Sequence, residues 1–364
     1  MDPIRNNNSL SARQSELIKA MRFPLICLVI IAHSAGTFSS STIAWSLDGW
    51  NIFHFVSEMI SRHFCSVGTC WFFVFSGFLF FFHLKDDDFS FDWVKAKWKK
   101  RVRSLLVPHL FWNLMAVLAI CVVTLLFQVF SITGEAEEMM KVRQGPVYWF
   151  FSGPIDFPLW FLRDLIILTL FAPLIYLIFR RFKWTSLALL VLVYLSPWNP
   201  AIPTMRSIFF FSIGVWLGTH KVNLLQACQK VRIPAFILAF LLLFISTSQL
   251  GRPMHTFLIR LFYPCGMVVF MLFCNSLIDN QRRSERLCTL SSCVFFIYAS
   301  HEIYILGWTK GVCLRLFGES LGAAWLRYLI TPFIVIGICL LLYRVLNRLI
   351  PNALSIACGG RSKK

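Results

Sequence analysis

Acidic side chains are scarce in this chain, with 17 Asp and Glu against 35 Lys and Arg in 364 residues and a formal net charge of +18. Charge of either sign is thin at 14% of residues, which excludes an ordinary soluble domain, where about a quarter of residues are charged. The local signatures of soluble catalysts are missing as well. There is no Gly-rich phosphate loop and no Gly-x-Ser-x-Gly elbow, and His301-Glu302 runs on into Ile303-Tyr304-Ile305 instead of reaching a second zinc-binding histidine. The 12 cysteines show no Cys-x-x-Cys or Cys/His spacing, so no metal site is expected and they read as small core residues. Cys65 and Cys70, five positions apart on a helix, are not placed to form a disulfide. No long repeat relates the two halves, which weakens a transporter built on inverted repeats.

What is present in excess is apolar. Hydrophobic residues make up 57% of the chain, Phe alone numbers 38, and the mean hydropathy is +0.68. These values predict an all-α, polytopic membrane protein of about ten transmembrane helices. The apolar segments fall near 22–43, 64–84, 105–130, 159–179, 185–197, 204–219, 233–249, 257–278, 288–306 and 325–349, the fifth cut short by Pro197, Pro200 and Pro203. With the N-terminus inside, 25 of the 35 Lys and Arg fall on cytoplasmic pieces, the bias of the positive-inside rule. Both termini are therefore expected in the cytoplasm, with segments 44–63 and 131–158 outside. The domain plan is a cytoplasmic tail over 1–21, a membrane domain over 22–349 and a basic tail over 350–364. The first span is expected to stay in the mature chain, with no soluble domain appended. Basic residues at span ends meet anionic headgroups, so membrane lipids are the expected partners and nucleic acid is not.

Arg22 and His33 share one face of the first apolar helix. Eleven residues at 100° each return to within ~20° of the starting direction and climb ~16 Å, so the guanidinium is expected at the membrane rim and the imidazole near mid-bilayer. A titratable group at that depth faces a protein interior or cavity and marks either a functional site or a helix-packing hydrogen bond. The run Lys100-Arg101-Val102-Arg103 adds a second basic cluster, which serves as a phosphate site or as a topological anchor. On the other side, His54 and Glu58 would share a helix face, Arg163-Asp164 sits near the outer end of the fourth span, and Trp160 is either a belt aromatic or a sugar platform. His301 and Glu302 form a further ionisable cluster inside the ninth span. Ser76-Gly77 and Gly214-x-x-x-Gly218 read as close helix-packing positions.

Taken in order, Arg22-x10-His33, the Phe72-Phe73-Val74-Phe75-Ser76-Gly77-Phe78-Leu79 stretch, the basic run before Pro108 and Pro158-Leu159-Trp160-Phe161-Leu162 resemble the acyltransferase-3 family of bacterial integral-membrane acyltransferases. The resemblance covers residues 15 to 349. It implies transfer of an acyl group, acetyl or succinyl, from cytoplasmic acyl-coenzyme A to a hydroxyl of a cell-surface glycan, polysaccharide precursor or lipid-linked sugar, in the bacterial inner membrane. It maps the family's arginine and histidine onto Arg22 and His33, and its paired basic residues onto the run from Lys100 to Arg103, with lysine at 100 where arginine is common. Acyl-coenzyme A is then a co-substrate, and no bound cofactor is expected. Arg22, Lys100, Arg101 and Arg103 would hold its phosphates, and His33 would act as general base or as transient acyl carrier. A transporter or flippase with a proton path through the same histidines is the alternative from a different class.

Overall fold

The computed structural model describes residues 10–35, 48–85, 88–129 and 137–360. Among these residues every regular element is helical. Six helices are long and apolar enough to cross a membrane, or eight if each of two bent pairs counts as one span. The six are α1 (Ala12–Ser34), α2 (Gly49–Phe81), α3 (Phe91–Val129), then after the short α4 (Glu137–Arg143) α5 (Phe157–Leu195), and later α9 and α12. The bent pairs are α6 (Met205–Thr219) with α7 (Leu224–Lys230), and α10 (Gln281–Leu290) with α11 (Val294–Phe317). Between them lie the 17-residue α8 (Arg232–Ser248) and α9 (His255–Leu277), and the chain closes with α12 (Leu321–Leu349) and α13 (Pro351–Ala357). Both chain ends, the segment 36–47, residues 86–87 and the segment 130–136 lie outside the described residues. The expected termini and much of the expected outer loops fall there.

Several boundaries differ from the sequence expectation, each for a local reason. The first helix begins at Ala12, not 22, because Ser11 Oγ caps Gln14 N at 3.2 Å and Leu17, Ile18 and Met21 bury against neighbouring helices. Arg22 therefore sits in the middle of α1 and His33 in its last turn. Residues 12–21 are part of the packed bundle: Arg13 pairs with Asp279 and bonds Asn275 Oδ1 at 3.1 Å, and Glu16 accepts from Ser284. The described part of segment 44–63, expected outside the membrane, is helical from an Asp48 cap and runs on into the second span. At the other end, the Ala357 carbonyl accepts the Trp112 indole N–H at 3.0 Å, so the start of the expected C-terminal tail is docked.

The fourth and fifth apolar segments are one element by hydrogen bonding, yet they double back. Asp164 Oδ2 accepts from Ser207 Oγ at 2.6 Å, and the Tyr194 ring stacks on Phe209 at 3.7 Å. Thirty residues of straight helix would separate 164 from 194 by ~45 Å, but both meet the first turn of α6. The reversal is at Lys183, whose φ of 45° and ψ of −119° leave the helical region.

The broadest helix contact joins α2 and α6. A Cβ added at Gly214 would overlap the Val74 carbonyl oxygen, and one at Gly77 would overlap that of Phe211, so the two backbones touch where both sequences are small. Gly214→Val is expected to cost about 1–3 kcal/mol through overpacking, measurable as a lower Tm of the detergent-purified protein. Outward faces are apolar, with Val122, Leu125 and Val129 of α3, Phe240 of α8 and Phe333 of α12 all exposed, as a lipid-facing surface requires. The chain is a multi-pass membrane protein.

Candidate active site

Two cavities meet at His33. The first, of 240 Å³, runs between α1, α2 and the start of α5; Arg22 and Arg101 supply its cations, and Ile26, Phe72 and Leu79 line its apolar walls. The second, of 560 Å³, is more polar and is bounded by Ser57, Glu58, Arg62, Arg206, Glu302 and Lys310. Val29, His33, Thr69 and Trp160 line both. The arrangement is a cationic, apolar-walled channel and a polar chamber with one imidazole between them.

Helix geometry puts these groups there. Arg22 and His33 reach the same channel because eleven residues bring them back to one face. Wide π-helical turns occur at Glu58–Phe64, Val102–Leu106 and His301–Leu306, each beginning at or next to an ionisable residue of the site, Glu58, Arg101 and His301. The third is the sharpest. At Ile303 ψ is 92° and at Tyr304 φ is 60°, an uncommon left-handed conformation for a bulky residue, and the break turns Glu302 toward His33. Glu302 Oε2 stands 3.4 Å from His33 Nδ1. Lys310 donates to the His33 carbonyl at 2.7 Å, placing a cation on the exposed carbonyls at the C-terminal end of α1. The His33 ring is further confined edge-on by Phe157 at 5.7 Å and His301 at 5.2 Å.

The candidates from sequence divide. Arg22, Arg101, His33, Glu58, Trp160 and Glu302 line the two cavities, and His301, fully buried, backs His33. Lys100 and Arg103 are exposed and line neither cavity; Arg101 alone of that run turns inward, reaching the Ser76 carbonyl at 3.4 Å. His54 packs on Trp50 and Phe53 outside both cavities. Arg163 and Asp164 also stand outside them: the guanidinium holds the Phe151 and Ser152 carbonyls and Asp164, and Asp164 holds Thr204 N and Ser207. That pair ties the loop before α5 to the start of α6. Glu58 is paired with Arg62 at 3.2 Å.

Sequence reading missed Arg206, Lys310 and Asp156. Arg206 lies over the Trp160 and Tyr263 rings at 5.6 and 5.7 Å, a cation–π sandwich. Its only signal was a charge in an otherwise apolar run. Asp156 is 3% exposed, and burial first, then the Glu302 carboxylate, hold its carboxyl well above the ordinary range.

Residues 16–344 match the acyltransferase-3 family profile, an acyltransferase domain. The chain belongs to the acyltransferase-3 family. It is an acyltransferase, and the transporter alternative falls away. Over 368 aligned residues this acyltransferase is 24% identical to the succinoglycan biosynthesis protein ExoH of Rhizobium meliloti (strain 1021), with 97% of this chain and 94% of that protein covered. No solved structure matches it.

Proposed function

We propose that this acyltransferase moves an acetyl or succinyl group from cytoplasmic acyl-coenzyme A to a hydroxyl of a cell-surface glycan, polysaccharide precursor or lipid-linked sugar. The observation that carries this reading is the meeting of two chemically different cavities at His33. Phosphates of the carrier bind Arg22 and Arg101 by charge-assisted hydrogen bonds, and the pantetheine arm follows the apolar channel along α1. The ~16 Å rise from Arg22 to His33 suits an extended arm. The acceptor occupies the polar chamber, where Trp160 and Phe157 offer rings to a sugar face.

His33 Nδ1–H then donates to Glu302, which fixes the tautomer and leaves Nε2 to take the acceptor proton. The hydroxyl oxygen attacks the thioester carbonyl, the ester C–O bond forms, and the C–S bond breaks. The departing thiolate takes the proton back from His33, so the products are the ester and free coenzyme A thiol. Glu302 stabilises the transient imidazolium, a role that needs a carboxylate close to Nδ1.

The positive-inside count supports ten spans with both termini in the cytoplasm, in the bacterial inner membrane, with the carrier channel on the cytoplasmic side. The name of the Rhizobium relative supports a glycan acceptor. The test is release of coenzyme A by purified protein from acetyl- or succinyl-coenzyme A across a panel of glycan acceptors. Acceptor-dependent release is expected, and acceptor-independent thioester turnover at every sugar tried would contradict the proposal.

A further inference from the structure

His301 has an assignable tautomer. Its Nδ1 lies 2.8 Å from the Tyr298 carbonyl and 3.1 Å from that of Ile297, and since a carbonyl only accepts, Nδ1 carries the hydrogen. The neutral ring therefore presents a lone pair at Nε2. Among the described residues that atom is fully buried and without a hydrogen-bond partner, and at 3.9 Å it faces the same Glu302 Oε2 that stands 3.4 Å from His33 Nδ1. Among the described residues no donor lies between the His301 lone pair and the carboxylate oxygen it faces, and a buried acceptor so placed calls for a proton donor or a cation.

We propose that His33 Nδ1, His301 Nε2 and Glu302 Oε2 bind one zinc-like divalent transition-metal ion, and that its binding switches acyl transfer off. The three ligand atoms lie within 4.8 Å of one another. Zinc bonds of about 2.0–2.2 Å set tetrahedral ligand atoms about 3.3–3.6 Å apart; the His33–Glu302 separation of 3.4 Å already fits, and side-chain rotation closes the others. Two imidazoles and one carboxylate select Zn²⁺ or Co²⁺ over Mg²⁺. The Nδ1–H of His301 on backbone carbonyls is also the outer-shell bond that metal-bound histidines make. The polar chamber supplies the open fourth position. Lys310, hydrogen-bonded to the His33 carbonyl, is the opposing charge and makes the ion exchangeable.

The inhibitory half rests on the reading of His33 as general base; the binding half does not. Coordination through Nδ1 moves the His33 hydrogen to Nε2, and a protonated Nε2 cannot accept the hydroxyl proton. The experiment titrates Co²⁺ into full-length protein in lipid nanodiscs, read by visible absorption, and adds zinc-edge X-ray absorption on the wild type. One ion per chain with a nitrogen/oxygen shell at about 2.0–2.1 Å is expected. His301→Gln should weaken Co²⁺ binding at least tenfold, whereas His63→Gln, which breaks the separate His63–His255 contact of 2.9 Å, should not. A sulfur shell near 2.3 Å, dependence on His63, or unchanged affinity in His301→Gln overturns the site. Because the X-ray measurement uses wild-type protein, a misfolded variant cannot decide the matter. Coenzyme A release should stop with Zn²⁺ and return with chelator; zinc held by the trio with turnover unchanged overturns the switch. If no acceptor supports transfer, the acyl-transfer reading fails while the binding result stands.

Discussion

His33→Gln is expected to lose about a hundredfold or more in turnover while keeping its abundance in the membrane and its affinity for acyl-coenzyme A. The reason lies in the proton: an alcohol ionises far above neutral pH, and its attack on a thioester needs a positioned base, a contribution of about 10²–10⁴ in rate. Glutamine preserves hydrogen bonding and approximate size but cannot take that proton. Single-turnover transfer from radiolabelled acyl-coenzyme A, run beside a binding measurement, separates the two functions. Near-normal transfer by His33→Gln would make the histidine a packing group. Glu302→Gln should follow in the same direction, since it removes the charge facing Nδ1 at 3.4 Å and with it the stabilisation of the imidazolium.

Arg101→Ala is expected to raise KM for acyl-coenzyme A about ten- to a hundredfold, with a smaller change in kcat. A charge-assisted contact to phosphate is worth about 1.5–3 kcal/mol, and Arg101 is the one member of its basic run that lines the channel. Arg103→Ala should change KM little, because that side chain is exposed and lines neither cavity. Equal effects from the two variants would show that the carrier's phosphates lie outside the channel mouth. Direct binding of acyl-coenzyme A to the purified variants is the check that excludes an effect on chemistry.

Much of the site was legible because helical periodicity alone brings residues eleven apart to one face, and that puts Arg22 and His33 in one channel whatever the rest of the bundle does. That Gly77 and Gly214 are each close-packing positions was legible for a similar reason, since small residues in an apolar run have few uses besides backbone approach, but that they meet each other was not. The basic run was legible only as a cluster. Which of its members turns inward depends on a π-helical turn at Val102–Leu106, and a shift of one residue rotates a side chain by about 100°.

Composition, apolar run lengths and charge asymmetry determined by themselves that this is a helical multi-pass membrane protein, since the bilayer leaves no other backbone solution for such segments. The ordered motifs determined the family. Tertiary structure alone decided the rest, because contacts across hundreds of residues leave no local trace. It paired Glu302 with His33 through a break at Tyr304, set Lys310 on the end of α1, and folded α5 back at Lys183. It also turned Arg163 and Asp164, plausible site residues by sequence, into a staple between α5 and α6, where the backbone groups and the Ser207 hydroxyl that satisfy them are 11 to 43 positions away.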